Sequence, residues 1–305
     1  MAKVIEIKNL IKKYGSLLAV NDISFNVEKG EIFGLLGENG AGKTTTLEII
    51  EGLRKPTKGE IKVLGHDVIH HPKTIKNSIG VQLQATAYYE FLTLKEILQL
   101  FGNFYAKSLD PIELLEMVDL QDKADAHIGS LSGGQKQRFS IVASLVNDPE
   151  VVFLDEPTTG LDPLARRNLW EIISQIKKQG KTIVLTTHYM EEAEILCDRI
   201  ALMDQGKIIA LDTTKKLIEK AKNPFRMVFK IKNLSDKNKL NLEKLGKLDF
   251  ELGGRDDDFE LHLATQKAVN EALAIIHELN PESMIVEKAT LEDVFLELTG
   301  KTIEE

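Results

Sequence analysis

The segment Gly37–Thr44, with the sequence GENGAGKT, constrains the fold of this chain more than any other feature. It matches the pattern G-x-x-x-x-G-K-[ST] and lies between a predicted strand, Glu31–Leu36, and a predicted helix, Lys43–Glu51. In that context the glycines bring backbone N–H groups and a helix N-terminus close to phosphate oxygens. The segment therefore predicts a strand-loop-helix unit that binds a nucleoside triphosphate, and an ordinary glycine-rich turn is the less favoured interpretation.

The side chains of this loop suit different parts of a triphosphate. Lys43 is placed to reach the β- and γ-phosphates, and the Thr44 hydroxyl is placed to bind Mg²⁺. The loop residues that we assign to nucleotide binding are Gly37, Asn39, Gly40, Ala41, Gly42, Lys43, Thr44 and Thr45. These residues predict that the ligand is a nucleoside triphosphate, but they do not indicate which reaction takes place.

A continuous apolar run, Val151–Leu154, is followed directly by the two carboxylates Asp155 and Glu156. Taken alone, such a run is equally well a strand that meets water at its end. In enzymes with a phosphate loop, an Asp at the end of such a strand holds Mg²⁺, and an adjacent Glu can polarise the attacking water. Asp155 and Glu156 fit those two roles.

The run Ser132-Gly133-Gly134 opens a predicted helix and is a second candidate anion site. Exposed N–H groups at the helix start and a serine hydroxyl can meet phosphate oxygens. The local residues alone favour an N-capped helix instead. The order along the chain favours the anion site, because the phosphate loop comes first, this run second, and Asp155 and Glu156 shortly after it.

This ordered set resembles the signature of ATP-binding-cassette (ABC) ATPases over about residues 3 to 222. By the same resemblance, Tyr14 matches the aromatic residue that stacks on adenine, Gln84 the glutamine-loop residue, and His188 the switch histidine. Gly160-Leu161-Asp162 matches the D-loop. Taken singly, Tyr14 is equally well a core aromatic and His188 a capping or surface residue. Gln82 competes with Gln84, and the family spacing favours Gln84.

The resemblance implies a reaction and a cofactor set. It implies ATP hydrolysis with Glu156, His188 and Gln84 as catalytic residues, and Mg²⁺ held by Thr44, Gln84 and Asp155. One departure is Glu38, where many members of the family carry proline. It is not expected to affect phosphate binding, because backbone groups bind the phosphate at that position.

The resemblance also implies an assembly. Two cassettes pair head to tail around two ATP molecules, so that Ser132, Gly133 and Gly134 contact the γ-phosphate bound by the other subunit. The pair is expected to be a homodimer, or a heterodimer with a paralogous ATPase. The tail Ala289–Gly300 is similar to that of ABC-2-type exporter ATPases, which implies an integral membrane permease as a separate partner and export as the direction. A plain amphipathic helix explains the same tail equally well.

Length and pattern predict two domains in the 305 residues. The first, residues 1–222, is an α/β P-loop ABC cassette with a mixed sheet and a helical subdomain at about residues 85–147. The second, residues 223–305, is a small α+β domain of βαββαβ-like order. Its predicted elements are strand Phe225–Ile231, a helix around Asn238–Leu245, strands Lys247–Leu252 and Asp258–Leu263, helix Gln266–Leu279, strand Ser283–Lys288 and a last helix Leu291–Leu298.

Composition excludes several function classes. A net charge of −8, from 39 Lys+Arg against 47 Asp+Glu, does not suit a phosphate-backbone surface, so no nucleic acid partner is expected. The longest apolar run, Ala272–Ile276, falls far short of the roughly 20 residues of a membrane span, and no secretory signal is evident at the N-terminus. We therefore expect a cytoplasmic protein, peripheral on the inner face of the membrane and bound to the permease through the region 84–131. The alternative is a non-transport ABC ATPase that acts as a nucleotide-gated regulator or adaptor.

Overall fold

The computed structural model describes residues 2–82, 88–231, 250–251 and 258–300. By its internal contacts the chain divides into two compact units, residues 1–214 and 215–305. Two features of the sequence analysis, Gln84 and the helix predicted around residues 238–245, lie outside the described residues. Within the described residues, no helix has the length and apolar character needed to cross a membrane.

The first unit contains two sheets of different kinds. An antiparallel sheet has the order β2-β1-β4-β5, and a mostly parallel sheet has the order β10-β9-β3-β8-β7-β6. The strands are β1 Lys3–Tyr14, β2 Leu17–Glu28, β3 Ile32–Leu36, β4 Lys58–Val63, β5 His66–Asp67, β6 Ile79–Gln82, β7 Val151–Asp155, β8 Thr182–Thr187, β9 Arg199–Asp204 and β10 Lys207–Asp212. Only β10 runs antiparallel to its neighbour in the second sheet as described. The predicted mixed-sheet α/β cassette is confirmed.

The parallel strands explain why chemistry-bearing residues that are far apart in sequence come together. The central strands β3, β7 and β8 are buried along their whole length, as expected for a sheet covered on both faces. Their register pairs Leu36 with Thr187 and Asp155 with Thr186. The phosphate loop, Glu156 and His188 each follow one of these strand ends, and ligands of open α/β sheets bind at this edge.

The helices of this unit are α1 Lys43–Ile50, α2 Pro72–Ser78, α3 Leu94–Gly102, α4 Pro111–Glu116, α5 Gly133–Ala143, α6 Pro163–Lys178 and α7 Met190–Leu196, and α8 Thr214–Glu219 begins at its last residue. Three of them, α3, α4 and α5, contact one another and form a cluster before β7. The cluster α3, α4 and α5 lies within the predicted helical subdomain. Thr93 begins α3 with a capping box to Glu96, which fixes the start of that helix. Four short elements, α2, α7, β9 and β10, were not predicted, because they lack a long periodic pattern.

The second unit is an antiparallel sheet with helices. Its strands are β11 Phe225–Lys230, β12 Phe250–Glu251, β13 Asp258–Leu263 and β14 Ser283–Lys288, in the order β12-β13-β11-β14, and its helices are α9 Gln266–Glu278 and α10 Leu291–Thr299. Apolar residues of β11 and β13, such as Phe229 and Leu261, pack with Val269, Ala272 and Ile276 of α9. The bounds predicted for β13 and β14 match the structure, and the strand predicted at 247–252 is described only at Phe250–Glu251.

Candidate nucleotide site

Close packing against two strands fixes the shape of the phosphate loop. Gly42 has φ +101°, and a Cβ on it would lie 2.4 Å from the backbone oxygen of Ala19 in β2. A Cβ on Gly37 would lie 2.2 Å from the backbone oxygen of Met203 in β9. Gly42 also precedes α1 without a side-chain cap, so the first-turn N–H groups of α1 remain for a ligand. The loop has the geometry of an anion cradle.

Lys43 is held inside this loop and beside a carboxylate. Its Nζ donates to the backbone oxygens of Gly37 at 2.7 Å and Glu38 at 3.1 Å, and lies 3.6 Å from Glu156 Oε1. Burial lowers the pKa of the Lys43 ammonium, and the neighbouring Glu156 charge works against that shift. The cation is thus fixed inside the phosphate loop by two of the loop's carbonyl oxygens.

Asp155 and Thr44 form a compact set of oxygen donors. The Thr44 hydroxyl donates to Asp155 Oδ1 at 3.3 Å, and the Thr186 hydroxyl bonds to the same oxygen. Burial raises the pKa of the Asp155 carboxyl, while these two hydroxyl bonds lower it. A carboxylate beside a hydroxyl is a donor set that suits Mg²⁺, which typically takes one or two protein oxygens and completes its shell with water and phosphate. The third predicted metal ligand, Gln84, lies outside the described residues.

Glu156 is the centre of the cluster. Its Oε1 lies 3.5 Å from His188 Nδ1 as well as 3.6 Å from Lys43 Nζ, and its Oε2 accepts a bond from the Thr159 hydroxyl at 3.2 Å. Its backbone N–H donates to the Thr186 hydroxyl at 3.0 Å, and its φ of +48° is unusual for a non-glycine residue. The structure therefore brings Lys43, Thr44, Asp155, Glu156 and His188 together, although they come from three separate stretches of the chain.

Tyr14 ends β1, opposite Leu17, the first residue of β2. Its side chain is 37% exposed, with the Lys12 ammonium 4.7 Å and the Arg54 guanidinium carbon 5.9 Å from the ring centroid. Tyr14 is thus not a core aromatic. Ala19, two residues after Leu17 on β2, packs against Gly42 of the phosphate loop. The turn that carries Tyr14 therefore lies near this loop.

The Ser132-Gly133-Gly134 run lies at the start of α5. Ser132 caps the helix, since its hydroxyl accepts from Gln135 N at 3.3 Å and its own N–H donates to Gln135 Oε1 at 3.0 Å. The run lines a cavity of about 470 Å³ with Arg138 and with Gly160, Leu161 and Asp162, which precede α6. None of the described residues that line this cavity belongs to the phosphate loop. The Ser132-Gly133-Gly134 run and the phosphate loop thus form separate surfaces in the described part of the chain.

Two buried carboxylates near the site were not identified from the sequence. Glu51 directly follows α1 and is 2% exposed, and burial together with the Asp155 and Glu48 charges raises the pKa of Glu51 to about 8. Glu192 on α7 is fully buried and accepts a bond from Trp170 Nε1 at 3.2 Å. A glutamate normally faces solvent, so no pattern in the sequence marks either residue as buried.

Burial of Glu51 predicts a pH-dependent stability. Because its pKa of about 8 in the fold lies above the ordinary value of 4.5, the folded chain holds an extra proton between these pH values. Stability is therefore expected to fall as pH rises through this window, by up to about 5 kcal/mol. Glu51→Gln, which stays neutral, is expected to remove most of that loss when urea unfolding is measured from pH 5 to pH 9.

The matched control is Glu48→Gln, at a neighbouring position of α1 where the carboxylate pairs with Arg54 at the surface. We expect this variant to keep most of the pH dependence of the parent chain, because burial is the largest cause of the raised pKa of Glu51 and the Glu48 charge is a smaller one. Parallel stability curves for the parent and Glu51→Gln over the whole range would show that Glu51 is ionised in the fold.

Comparison with known proteins gives the family. A family model described as "ABC transporter" matches residues 20–159. The chain is 37% identical over 320 residues to the Nod factor export ATP-binding protein I of Rhizobium sp. (strain N33), covering 100% of both chains. It is 36% identical over 311 residues to the linearmycin resistance ATP-binding protein LnrL of Bacillus subtilis (strain 168), covering 98% of this chain and 99% of the relative.

A solved structure supports the same assignment for the first unit. The ATP-binding cassette MJ0796, in a dimeric post-hydrolysis state bound to ADP and Pi, superposes with a TM-score of 0.62 at 28% identity. The match covers 68% of this chain and 98% of that one. With relatives matched along their full length and the phosphate-loop geometry in place, the chain belongs to the ABC transporter family and is an ATP-binding subunit that hydrolyses ATP.

Proposed function

We propose that this chain is the motor subunit of an exporter, and that it drives a separate membrane permease. The observation that supports ATP hydrolysis as its chemistry is the contact of Glu156 with both Lys43 and His188 at the ends of β3, β7 and β8. Export is supported by the full-length relative from Rhizobium, whose name states Nod factor export. The transported substrate would be selected by the permease.

The proposed chemistry assigns one task to each residue of the cluster. Lys43 exchanges the backbone oxygens of Gly37 and Glu38 for phosphate oxygens, since a charged acceptor binds an ammonium more strongly than a carbonyl. Thr44 and Asp155 would hold Mg²⁺, which when bound neutralises phosphate charge. Glu156 accepts the proton of the attacking water, and His188 contacts the γ-phosphate. Gln84 and Tyr14 complete the site as metal ligand and adenine platform.

The signature surface acts on a second subunit in this proposal. The cavity lies at the starts of two helices, α5 and α6, which suits a phosphate group. Lys43 is not among the residues that line it. Ser132, Gly133 and Gly134 would therefore contact the γ-phosphate bound by the partner. ATP stabilises the closed dimer by contacts that ADP cannot make, and hydrolysis lets it reopen. One chain carries both the phosphate-loop surface and the Ser132-Gly133-Gly134 surface, which favours a homodimer over pairing with a paralogue.

The permease is proposed to bind the helical cluster of the first unit. Three aromatic side chains there are exposed: Tyr89 by 61%, Phe91 by 91% and Phe104 by 72%. Exposed aromatic groups of this size are typical of contact surfaces for another protein. Because ATP is supplied inside the cell, we propose that the chain acts at the cytoplasmic face of the membrane.

This proposal predicts the outcome of a purification. Affinity-tagged chain taken from detergent-solubilised membranes of its source is expected to bring down a polytopic membrane protein. The double variant Phe91→Ser/Phe104→Ser is expected to reduce that recovery at least ~10-fold, because it removes two large apolar anchors, while its ATPase activity without the permease stays unchanged. Leu298→Ser, at an exposed apolar residue of α10 (48%), is the control and should keep the partner. Recovery of only non-membrane proteins would favour the regulator or adaptor role.

A further inference from the structure

Strand β14 of the second unit exposes apolar side chains along an outer edge of its sheet. Met284, Ile285 and Val286 are 36%, 58% and 41% exposed, and the other residues of the strand are exposed as well. Among the described strands, β14 pairs only with β11, in an antiparallel register from Phe225 opposite Lys288 to Lys230 opposite Ser283. Backbone bonds of Glu282 and Ala289 to the β11 side continue this pairing at both ends.

An outer strand of this composition is a template for another strand. Successive side chains of a strand point to opposite faces, so Met284 and Val286 lie on one face and Ile285 on the other. Natural edges are normally protected by charged side chains, proline, a bulge or inward-pointing charge. The two charges of β14, Glu287 and Lys288, lie together at one end of the strand, and Met284–Val286 carry none. Residues 283–288 contain no proline, the register of β14 with β11 is unbroken, and Glu287 bonds to Arg226 of β11 at 3.0 Å within its own sheet.

We infer that β14 pairs with β14 of a second copy of this chain, as antiparallel strands about a two-fold axis at Ile285. In this register Ile285 faces Ile285 and Met284 faces Val286. Glu282, the residue directly before β14, then lies opposite Lys288 of the second copy, and the symmetry repeats this opposite-charge pair at the other end of the strand. Opposite charges directly across a strand pair stabilise it. A register shifted by one residue would place Glu282 opposite Ala289 and Glu287 opposite Met284, and would lose both charge pairs.

The two-fold symmetry of this contact is compatible with pairing between two copies of the same chain. An antiparallel pair of identical strands is isologous, as are the interfaces of most two-fold dimers. A strand pair of this length is a small interface, so it works best where two copies are already held at high effective concentration. Two ATPase subunits on one permease meet that condition. The contact does not involve nucleotide, and it would keep the subunits paired while their ATP sites are open.

Cysteine scanning of the full-length chain tests both the contact and its register. Cys197 is the only cysteine of the sequence, and Cys197→Ser provides the background. Without nucleotide, Ile285→Cys is expected to form covalent dimers on mild oxidation at least ~10-fold faster than Leu298→Cys, because directly opposed Cβ atoms are ~5 Å apart. A mixture of Met284→Cys and Val286→Cys chains should cross-link to each other faster than either cross-links to itself. Equal rates for all of these variants would overturn the proposal.

Charge reversal provides an independent test in the same background. Lys288→Glu places a negative charge opposite Glu282 and is expected to slow cross-linking of Ile285→Cys several-fold. Adding Glu282→Lys to Lys288→Glu recreates the opposite-charge pair with reversed signs and should restore the rate. If the double reversal cross-links as slowly as the single one, the register is wrong. Unchanged ATP binding by each variant shows that the fold is intact.

Discussion

Glu156→Gln is expected to lower the ATP hydrolysis rate by ~10²–10⁴-fold while leaving ATP bound. The amide keeps the size of the side chain and its capacity to accept a bond from Thr159, but it does not accept the proton of an attacking water. Steady-state phosphate release and nucleotide binding, measured on the same preparation, separate the two effects. The loss should appear in kcat rather than in the affinity for ATP.

The control for this variant is Glu171→Gln, an exposed glutamate on α6. It makes the same chemical change on the same unit and should keep the parent rate. A Glu156→Gln chain that retains more than about a tenth of the parent activity would contradict the assignment of Glu156 as general base, because that role contributes ~10²-fold or more.

Lys43→Ala is expected to weaken ATP binding by ~100-fold or more, which corresponds to about 2.7 kcal/mol. The substitution removes the buried cation that faces the loop carbonyls and Glu156. It leaves the Glu156 carboxylate without that charge, which adds a penalty of its own. Titration with a fluorescent ATP analogue measures the effect directly.

Lys73→Ala is the matched control, since Lys73 is an exposed lysine on α2. We expect its affinity to equal that of the parent chain. If Lys43→Ala bound ATP as tightly as Lys73→Ala, the phosphate loop would have to bind the nucleotide through its backbone alone.

Much of the site could be predicted because its signals are local. The phosphate loop is a contiguous pattern, and the strand before Asp155 and Glu156 is a bare apolar run. The contacts that organise the site are not local. Thr186 meets Asp155 from a strand 31 residues away, and that neighbour relation depends on the order of strands in the sheet. Periodicity does not specify strand order, so Thr186 could not be identified beforehand.

Buried charge was the least predictable property. Glu51 directly follows α1, at a position whose sequence would suit a solvent-exposed glutamate, and its burial is a property of the assembled fold. The second unit shows a related limit. The pattern of residues 283–288 predicts the strand correctly, but which strand lies at an outer edge follows from the order β12-β13-β11-β14. Exposure of Ile285 is therefore a property of the assembled sheet.

The central claim is that each ATP is held between two chains, and a structure of the Glu156→Gln variant with Mg²⁺ and ATP tests it most directly. The account predicts two nucleotides in a dimer. Each would have its phosphates on Lys43 of one chain and its γ-phosphate in contact with Ser132 and Gly134 of the other. A nucleotide contacted by one chain alone, with Ser132 and Gly134 away from every γ-phosphate, would contradict it.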